Sequence, residues 1–429
     1  MYKQITDCRL CYGKNLAQVL DLGFQALTGI FPKTIEEDVP AGPLALVKCS
    51  DCGLVQLAHN YDLSMLYGNT YGYRSGLNQS MVRHLQGKVA GIESLISLGS
   101  GDLVIDIGSN DGTLLGSYKT PGLRRLGMDP SGEKFRQYYA PGTELIPEFF
   151  SAEAIRRHAG NQKARVITSI AMFYDLERPL DFVEQVTEVL DDDGIWVLEQ
   201  SYLPTMVETH SYDTVCHEHL EYYTLKQIHF IATKLGLKIV DVALNDVNGG
   251  SFSVTVAKAN SRYPEAADQV GRMLKEEENA GYDTTRPLEG LNAAMHRQRD
   301  ELLALLHDIS RQGKAVFGYG ASTKGNVLLQ FCNITPDLLP YIAEVNEDKF
   351  GAYTPGTKIP IISEREARTM NPDYFMVLPW HFRQGIVQKE SAYLERGGHL
   401  IFPLPALEVV SGTATPSSAA APLSTRSSG

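Results

Sequence analysis

Two cysteine pairs, Cys8-x2-Cys11 and Cys49-x2-Cys52, constrain this chain more than any other feature of its sequence. Thiolates two apart on a tight turn can face one ion, and two such turns complete a tetrahedral zinc site. Cys216 and Cys332 stand alone, so the pattern is that of a metal site and not of a secreted disulfide framework. Reduced structural cysteines are the competing reading. Gly53, just after the second pair, is able to take positive φ in the turn. The 37 residues between the pairs exceed a small zinc ribbon and predict an insertion. Four protein ligands leave no open coordination position, so the predicted Zn2+ is structural.

The chain's 429 residues are enough for two or three domains. A net charge of −12 argues against wholesale binding to nucleic acid or an anionic membrane, although a polyanion could enter a locally basic pocket. No apolar run approaches the ~20 residues of a membrane span, and the start "MYKQITDCRL" lacks a signal-peptide core. Cytoplasmic residence, as a monomer or homodimer, is the expectation. Residues 411–429 are rich in Ser, Ala, Thr and Pro, and read as a disordered tail that cloning could have added.

Between these ends the text alternates strands and helices. "DLVIDIGSNDG" (102–112), "LRRLGMDPSG", "ARVITSIAMF", "GIWVLEQSY", "LKIVDVAL" and "SFSVTVAKA" read as strands with helical stretches such as "PLDFVEQVTEVL" between them. After polar helical text at about 262–312 the alternation restarts at "KAVFGYGASTKGNVLLQF". The predicted class is α/β. Residues 1–80 are a small zinc-binding domain with an aromatic loop, 81–260 a Rossmann-like domain, and 261–410 a smaller α/β, Rossmann-like domain.

The turn in "VIDIGSNDGTLL" places Asp106 and Gly108 at a strand end, with Asn110 and Asp111 inside and Gly112 opening a helix. Asp129, 21 residues after Gly108, ends the next strand and suits ribose hydroxyls. A dinucleotide fingerprint would receive a pyrophosphate, which the carboxylate in this turn would repel. A cationic sulfonium with an amino group is better matched, which favours S-adenosylmethionine.

The ordered set CxxC…CxxC, "IDIGSNDGTLL", "HEHLEYYTL", "GGS", "GYGASTKGN" and "LPWHF" resembles the three-domain C-methyltransferases of nucleotide-linked keto-deoxysugars, from about residue 5 to 408. These act in making branched sugars for antibiotics and surface glycans. The resemblance implies a zinc domain, a central S-adenosylmethionine domain, and a C-terminal domain that helps hold the sugar nucleotide. It implies that a base removes the proton at C3 beside the C4 ketone, and that the enolate takes the methyl in line.

In "YDTVCHEHLEYYT" the family's base matches His219, and Glu218 matches a residue contacting the sugar. A neutral histidine suits proton abstraction near working pH. A satisfied structural histidine, or His217 and His219 as metal ligands on one strand face, are the alternatives. Tyr73 matches the family's active-site tyrosine, and Tyr67 and Tyr71 lie in the same aromatic segment. The chain departs from relatives at Cys216, where many carry tyrosine, and at Met172, near where they often carry histidine. Both positions adjoin the family's active site, and Met172 is grouped here with the cofactor residues. Tyr174, Tyr222 or Tyr223 would then supply a phenol, with Tyr222 taken as the catalytic candidate. Asn248 stands where relatives frequently have histidine before Gly-Gly, and is read as near the substrate.

The second glycine-rich turn, "VFGYGASTKGN", has GxGxxxxG spacing. Ser322, Thr323 and Lys324, with the helix N-terminus, could neutralise a diphosphate, and Asn326 is taken with Ser322 and Lys324 as a substrate residue. No lysine follows the last glycine, which disfavours a P-loop. Two alternatives stay open: a bifunctional enzyme with NAD(P)H in this turn, and a zinc-dependent scaffold for nucleic acid.

Overall fold

A computed structural model of the protein describes residues 2–62, 66 and 73–412. The N-terminal strands are β1 (Tyr2–Gln4), β2 (Leu16–Ala26), β3 (Ala41–Cys49), β4 (Val55–Leu57) and β5 (His59–Tyr61). The insertion between the cysteine pairs is the antiparallel pair β2–β3, whose last residue is Cys49 itself. The hairpin therefore carries the second knuckle back to the first.

The middle of the chain supplies β6 (Leu103–Ile107), β7 (Arg124–Met128), β8 (Thr143–Ile146), β9 (Ala164–Ile170), β10 (Leu190–Ser201), β11 (Glu221–Tyr222), β12 (Leu237–Asn245) and β13 (Ser251–Lys258). Seven of these form one sheet in the order β12-β13-β10-β9-β6-β7-β8. β6 to β10 run parallel, and β13 is antiparallel to both its neighbours. All of β6 is buried, as a parallel strand covered by helices on both faces must be.

β11 does not join that sheet. Its two residues pair with β4, giving an N-terminal sheet ordered β11-β4-β3-β2. A segment of the middle region thus completes the small sheet.

The helices Ala267–Asn279 and Arg286–Arg311 lead to a six-stranded sheet. Its strands are β14 (Val316–Tyr319), β15 (Ile342–Glu344), β16 (Ile361–Ser363), β17 (Tyr374–Val377), β18 (His399–Phe402) and β19 (Glu408–Ser411), ordered β16-β15-β14-β17-β18-β19. Leu20, Leu44 and Leu46 of the small sheet share one core with Leu288, Leu291 and Met295 of the long helix. Each fully buried leucine contributes about 1.5–3 kcal/mol.

Two expectations are corrected here. Gly112 opens no α-helix: only a 3-10 turn, Leu115–Ser117, follows before β7, because Gly116, Pro121 and Gly122 break the short connection. Ser411 is not tail but the last residue of β19, paired with His399 across the sheet edge. Residues 413–429, and Tyr67 and Tyr71 of the aromatic segment, lie outside the described residues.

Candidate active site

The four cysteine thiols converge. Their sulfurs lie within 4.8 Å of one another, with Cys8–Cys52 at 3.6 Å and Cys11–Cys49 at 3.5 Å. A tetrahedral ion with Zn–S near 2.3 Å needs sulfurs about 3.8 Å apart, so the set fits. The two knuckles are built alike. Tyr12 and Gly53, each directly after its second cysteine, take positive φ of 62° and 78°. Their N–H groups donate to the carbonyls of Cys8 and Cys49. Gln56 Nε2 donates to Cys8 Sγ at 3.2 Å, a further partner for a thiolate.

At the end of β6 the chain turns through Gly108, at φ 75°, where a Cβ would lie 3.1 Å from the Met172 side chain. Only glycine fits that approach. Three carboxylates surround the turn. Asp106 is buried, accepts from Thr168 Oγ1 at 2.5 Å, and burial raises it to about 7. Asp129 Oδ2 accepts from Asn110 N at 2.8 Å, while its other oxygen takes Ser131 N and Oγ. Asp111 Oδ2 accepts from Gly76 N, and Asn110 Oδ1 from Ser75 N, both at 2.9 Å. Asn110 Nδ2 also donates to the Tyr73 carbonyl. Asn110 and Asp111 therefore hold the segment 73–76 against the turn, and the half-exposed Tyr73 side chain is carried there with it. An acidic, glycine-shaped crevice without a helix N-terminus suits a positively charged ligand.

At the end of β14 the second turn does have a helix, Thr323–Phe331. Ser322 is its N-cap and accepts from Gly325 N at 2.9 Å, an arrangement that contributes about 1 kcal/mol. Lys324 Nζ donates at 2.7 Å to the carbonyl of Asn248, which sits at φ 56° in the turn before β13. Lys324 and Asn248, far apart in sequence, are thus brought together. Asn326 is placed otherwise than expected. It is fully buried, and its Nδ2 donates to the Thr28 carbonyl at 2.8 Å, fastening the N-terminal unit to this helix. Glu344, ending β15, accepts from the N–H groups of Ala321, Val345 and Asn346.

Between these corners lies the 212–224 segment. Residues Tyr212–Thr214 form a 3-10 turn, and the histidines occupy the following loop before β11, neither in a helix nor in a strand. His217 is fully buried, with Nε2 3.5 Å from the Gly42 carbonyl and its ring against Tyr61 at 4.7 Å. It is a packing residue, and no third ligand stands with it among the described residues. His219 is different. Its Nδ1 lies 2.9 Å from the Thr214 carbonyl, an acceptor only, so Nδ1 carries the proton. Among the described residues no hydrogen bond engages Nε2, which therefore presents a lone pair. Burial, then the nearby Lys324 ammonium, lower the imidazole to about 4. The Tyr174 ring lies 4.2 Å from the imidazole, centre to centre.

Glu218 is raised by burial, and its Oε2 has no hydrogen-bond partner among the described residues. Tyr222 is buried, and its hydroxyl likewise has none. The Tyr223 hydroxyl instead donates to Glu221 at 2.9 Å, so it is committed elsewhere.

Three further side chains join this segment. Trp380 Nε1 donates to Asp213 Oδ2 at 2.8 Å, tying the C-terminal unit to the turn that holds His219. Asp213 also acts as a counter-charge to Lys324. His381 is lowered to about 3 by burial and then by Lys324, and its Nδ1 has no partner among the described residues. The motif "LPWHF" marked Trp380 and His381, but Asp213 escaped the sequence because it has no local signature.

Known proteins match this arrangement along its length. A family model described as a zinc binding domain matches residues 8–67, a methyltransferase domain 81–242, and a C-methyltransferase C-terminal domain 246–405. C-methyltransferase NovU of Streptomyces niveus is 31% identical over 418 residues, covering 96% of this chain and 99% of that protein. Solved structures align with only part of the chain. The plantazolicin methyltransferase BpumL, in complex with SAH, covers 43% of this chain and 87% of its own at 13% identity and a TM-score of 0.35. The mitomycin 7-O-methyltransferase MmcR covers 43% of this chain and 55% of its own at 15% identity and a TM-score of 0.35. With zinc-binding, methyltransferase and C-methyltransferase C-terminal segments in that order, the chain belongs to the three-domain, zinc-containing, S-adenosylmethionine-dependent C-methyltransferases.

Proposed function

We propose that the enzyme methylates C3, beside the C4 ketone, of a nucleotide-linked 4-keto-deoxysugar, and serves deoxysugar and antibiotic biosynthesis. The observation that carries this reading is the state of His219: partly buried, neutral, protonated on Nδ1, with Nε2 unengaged among the described residues. The reading assigns residues 1–80 to zinc and the aromatic segment, 81–260 to the methyl donor, and 261–410 to the sugar nucleotide.

The donor supplies an electrophilic methyl group, bound at the turn of Asp106, Gly108, Asn110, Asp111, Gly112 and Asp129 beside Met172. His219 Nε2 takes the C3 proton. The resulting imidazolium keeps its Nδ1–H on the Thr214 carbonyl, so no side chain moves as charge develops. Glu218 binds a sugar hydroxyl. Burial favours its protonated form, which can donate as well as accept. Tyr222, Tyr71 and Tyr73 are the phenols proposed around the sugar, and Asn248 shapes its turn. Lys324, with Ser322 at the helix start, faces the diphosphate.

A base lowered to about 4 is weak, but part of that lowering comes from Lys324. A diphosphate beside Lys324 would offset its charge and raise His219 toward working pH, so the substrate itself would prepare the base. NovU is named a C-methyltransferase, and the match to it supports carbon as the acceptor. The test is mass spectrometry of thymidine-, uridine- and guanosine-diphosphate-linked 4-keto-6-deoxyhexoses incubated with enzyme and donor. The expected result is a gain of one methylene by at least one of them, at C3 by NMR. Methylation on oxygen, or on a carbon not beside a ketone, would overturn the reading.

A further inference from the structure

The zinc site is too far along the chain to touch substrate by sequence alone, yet the fold ties it to the residue after His219. Arg9 sits inside the first knuckle, between Cys8 and Leu10, and is 5% exposed. Its Nη1 donates to the Leu57 carbonyl at 2.7 Å and to the Leu220 carbonyl at 3.5 Å. Its Nη2 donates to the His59 carbonyl at 3.1 Å and to Asn60 Oδ1. The side chain of Gln56 accepts from Arg9 N and from Arg9 Nη1, and donates to Cys8 Sγ, joining guanidinium, strand and thiolate in one network.

The same Leu220 carbonyl accepts from Leu57 N at 2.8 Å, the step that leads into the β4–β11 pairing of Val55 with Tyr222 and Gln56 with Glu221. On its other side Leu220 N donates at 2.8 Å to the carbonyl of Tyr174, whose ring packs on His219. The loop carrying His219 is therefore pinned immediately downstream, at one residue, by the zinc-bearing sheet and by the loop after β9. A two-residue strand cannot hold such a register by itself, since two ladder pairs do not offset the entropy of ordering them. The buried guanidinium, with carbonyls from both sides of the junction, supplies the missing constraint.

We propose that Arg9 is a positioning residue for the methyl-transfer reaction: the zinc knuckle acts through Arg9, β4 and β11 to fix the His219 imidazole where the substrate carbon will lie. This rests on His219 being the base. It gives the N-terminal unit a task beyond carrying a metal, since the segment it orders is part of the catalytic loop.

The test uses the zinc-loaded full chain and the variants Arg9→Met, Arg9→Lys and His219→Asn. Three readouts are compared: zinc content, affinity for S-adenosylhomocysteine, and solvent deuterium exchange at C3 of the keto-sugar nucleotide that turns over in the panel above. Arg9→Met should keep its zinc and bind S-adenosylhomocysteine within about twofold of the parent, yet lose on the order of 10- to 100-fold in exchange rate, the scale of a small misplacement of a reacting group. Arg9→Lys, which keeps a charged donor but not the fork, should recover part of the loss. Histidine 15N spectra should show the His219 signal, identified by its absence in His219→Asn, displaced or broadened in Arg9→Met.

Unchanged exchange in Arg9→Met, with His219→Asn inactive, overturns the positioning role and leaves the base intact. Exchange that survives in His219→Asn overturns the base instead. If Arg9→Met does not fold, Arg9→Lys decides. A loss of exchange matched by equal losses of donor affinity would mean that Arg9 serves general stability only.

Discussion

The two glycine-rich corners of this enzyme begin alike and end differently. Each follows a buried parallel strand, β6 or β14, and each is closed by an acid ending the neighbouring strand. Asp129 receives the N–H of Asn110, and Glu344 the N–H of Ala321. After that they diverge. The first corner has Asp106, Asp111 and Asp129 and no α-helix, whereas the second leads into the capped helix Thr323–Phe331 and carries Lys324 in its first turn. A strand-to-turn corner is a general ligand seat, and its charge chooses the ligand. Carboxylates without a helix dipole suit a sulfonium and an ammonium. A helix N-terminus with a lysine suits phosphate oxygens.

The largest expected effect falls between the corners. His219→Asn should slow C3 exchange and methyl transfer by about 10²–10⁴-fold, the usual contribution of a general base. Affinities for S-adenosylhomocysteine and for the sugar nucleotide should move little. A variant that lost either ligand instead would show that the histidine belongs to a corner and not to the gap.

Next is a crossed pair. Lys324→Met should weaken the sugar nucleotide by about 10- to 100-fold and leave S-adenosylhomocysteine unchanged, and Asp129→Asn should do the reverse. Calorimetry with each ligand reads both. If both variants weaken the same ligand, the comparison of the corners breaks.

A smaller effect is in pH. Because folding lowers His219, its base form persists as pH falls from the ordinary 6.5 to about 4, and is lost only below that. The acid limb of kcat/KM, which reports the free enzyme, should therefore lie well under 6.5. Lys324→Met removes one of the two lowering influences and should move that limb upward, by less than the full return because burial remains. An acid limb near 6.5 in the parent would contradict a neutral base with a lowered pKa.

The smallest effect is at Asn248. Its backbone carbonyl, not its amide, receives Lys324, and its φ of 56° is one that glycine adopts freely. Asn248→Gly should change KM for the sugar nucleotide by less than about threefold, with stability altered by under about 1 kcal/mol. A larger rise in KM would show that the amide itself touches substrate.

Most of the long strands were legible because strands buried on both faces read as apolar runs, as "LVIDI" and "YFMV" do. The hairpin β2–β3 was not. Register shifts near Gln18 and Asp21 break the alternation that marks a strand. The edge strands β8 and β19 were missed because they are partly exposed and only four residues long. β11 cannot be read locally at all, since its two residues are a strand only by virtue of β4. Asn326 looked like a substrate residue because it follows Lys324 in a helix start. Its position in that turn directs it inward, to Thr28.

The sequence by itself determined the four-cysteine cluster, the succession of three units and the acidic first turn, because each is written in neighbouring residues whose spacing dictates the local geometry. Only the tertiary structure decided what His219 is. Its tautomer depends on the Thr214 carbonyl and its neutrality on burial and on Lys324. Its setting depends on Trp380 and on the zinc knuckle through Leu220. Proton affinity is a property of the medium around a group, and here that medium is assembled from parts of the chain that meet only when it folds.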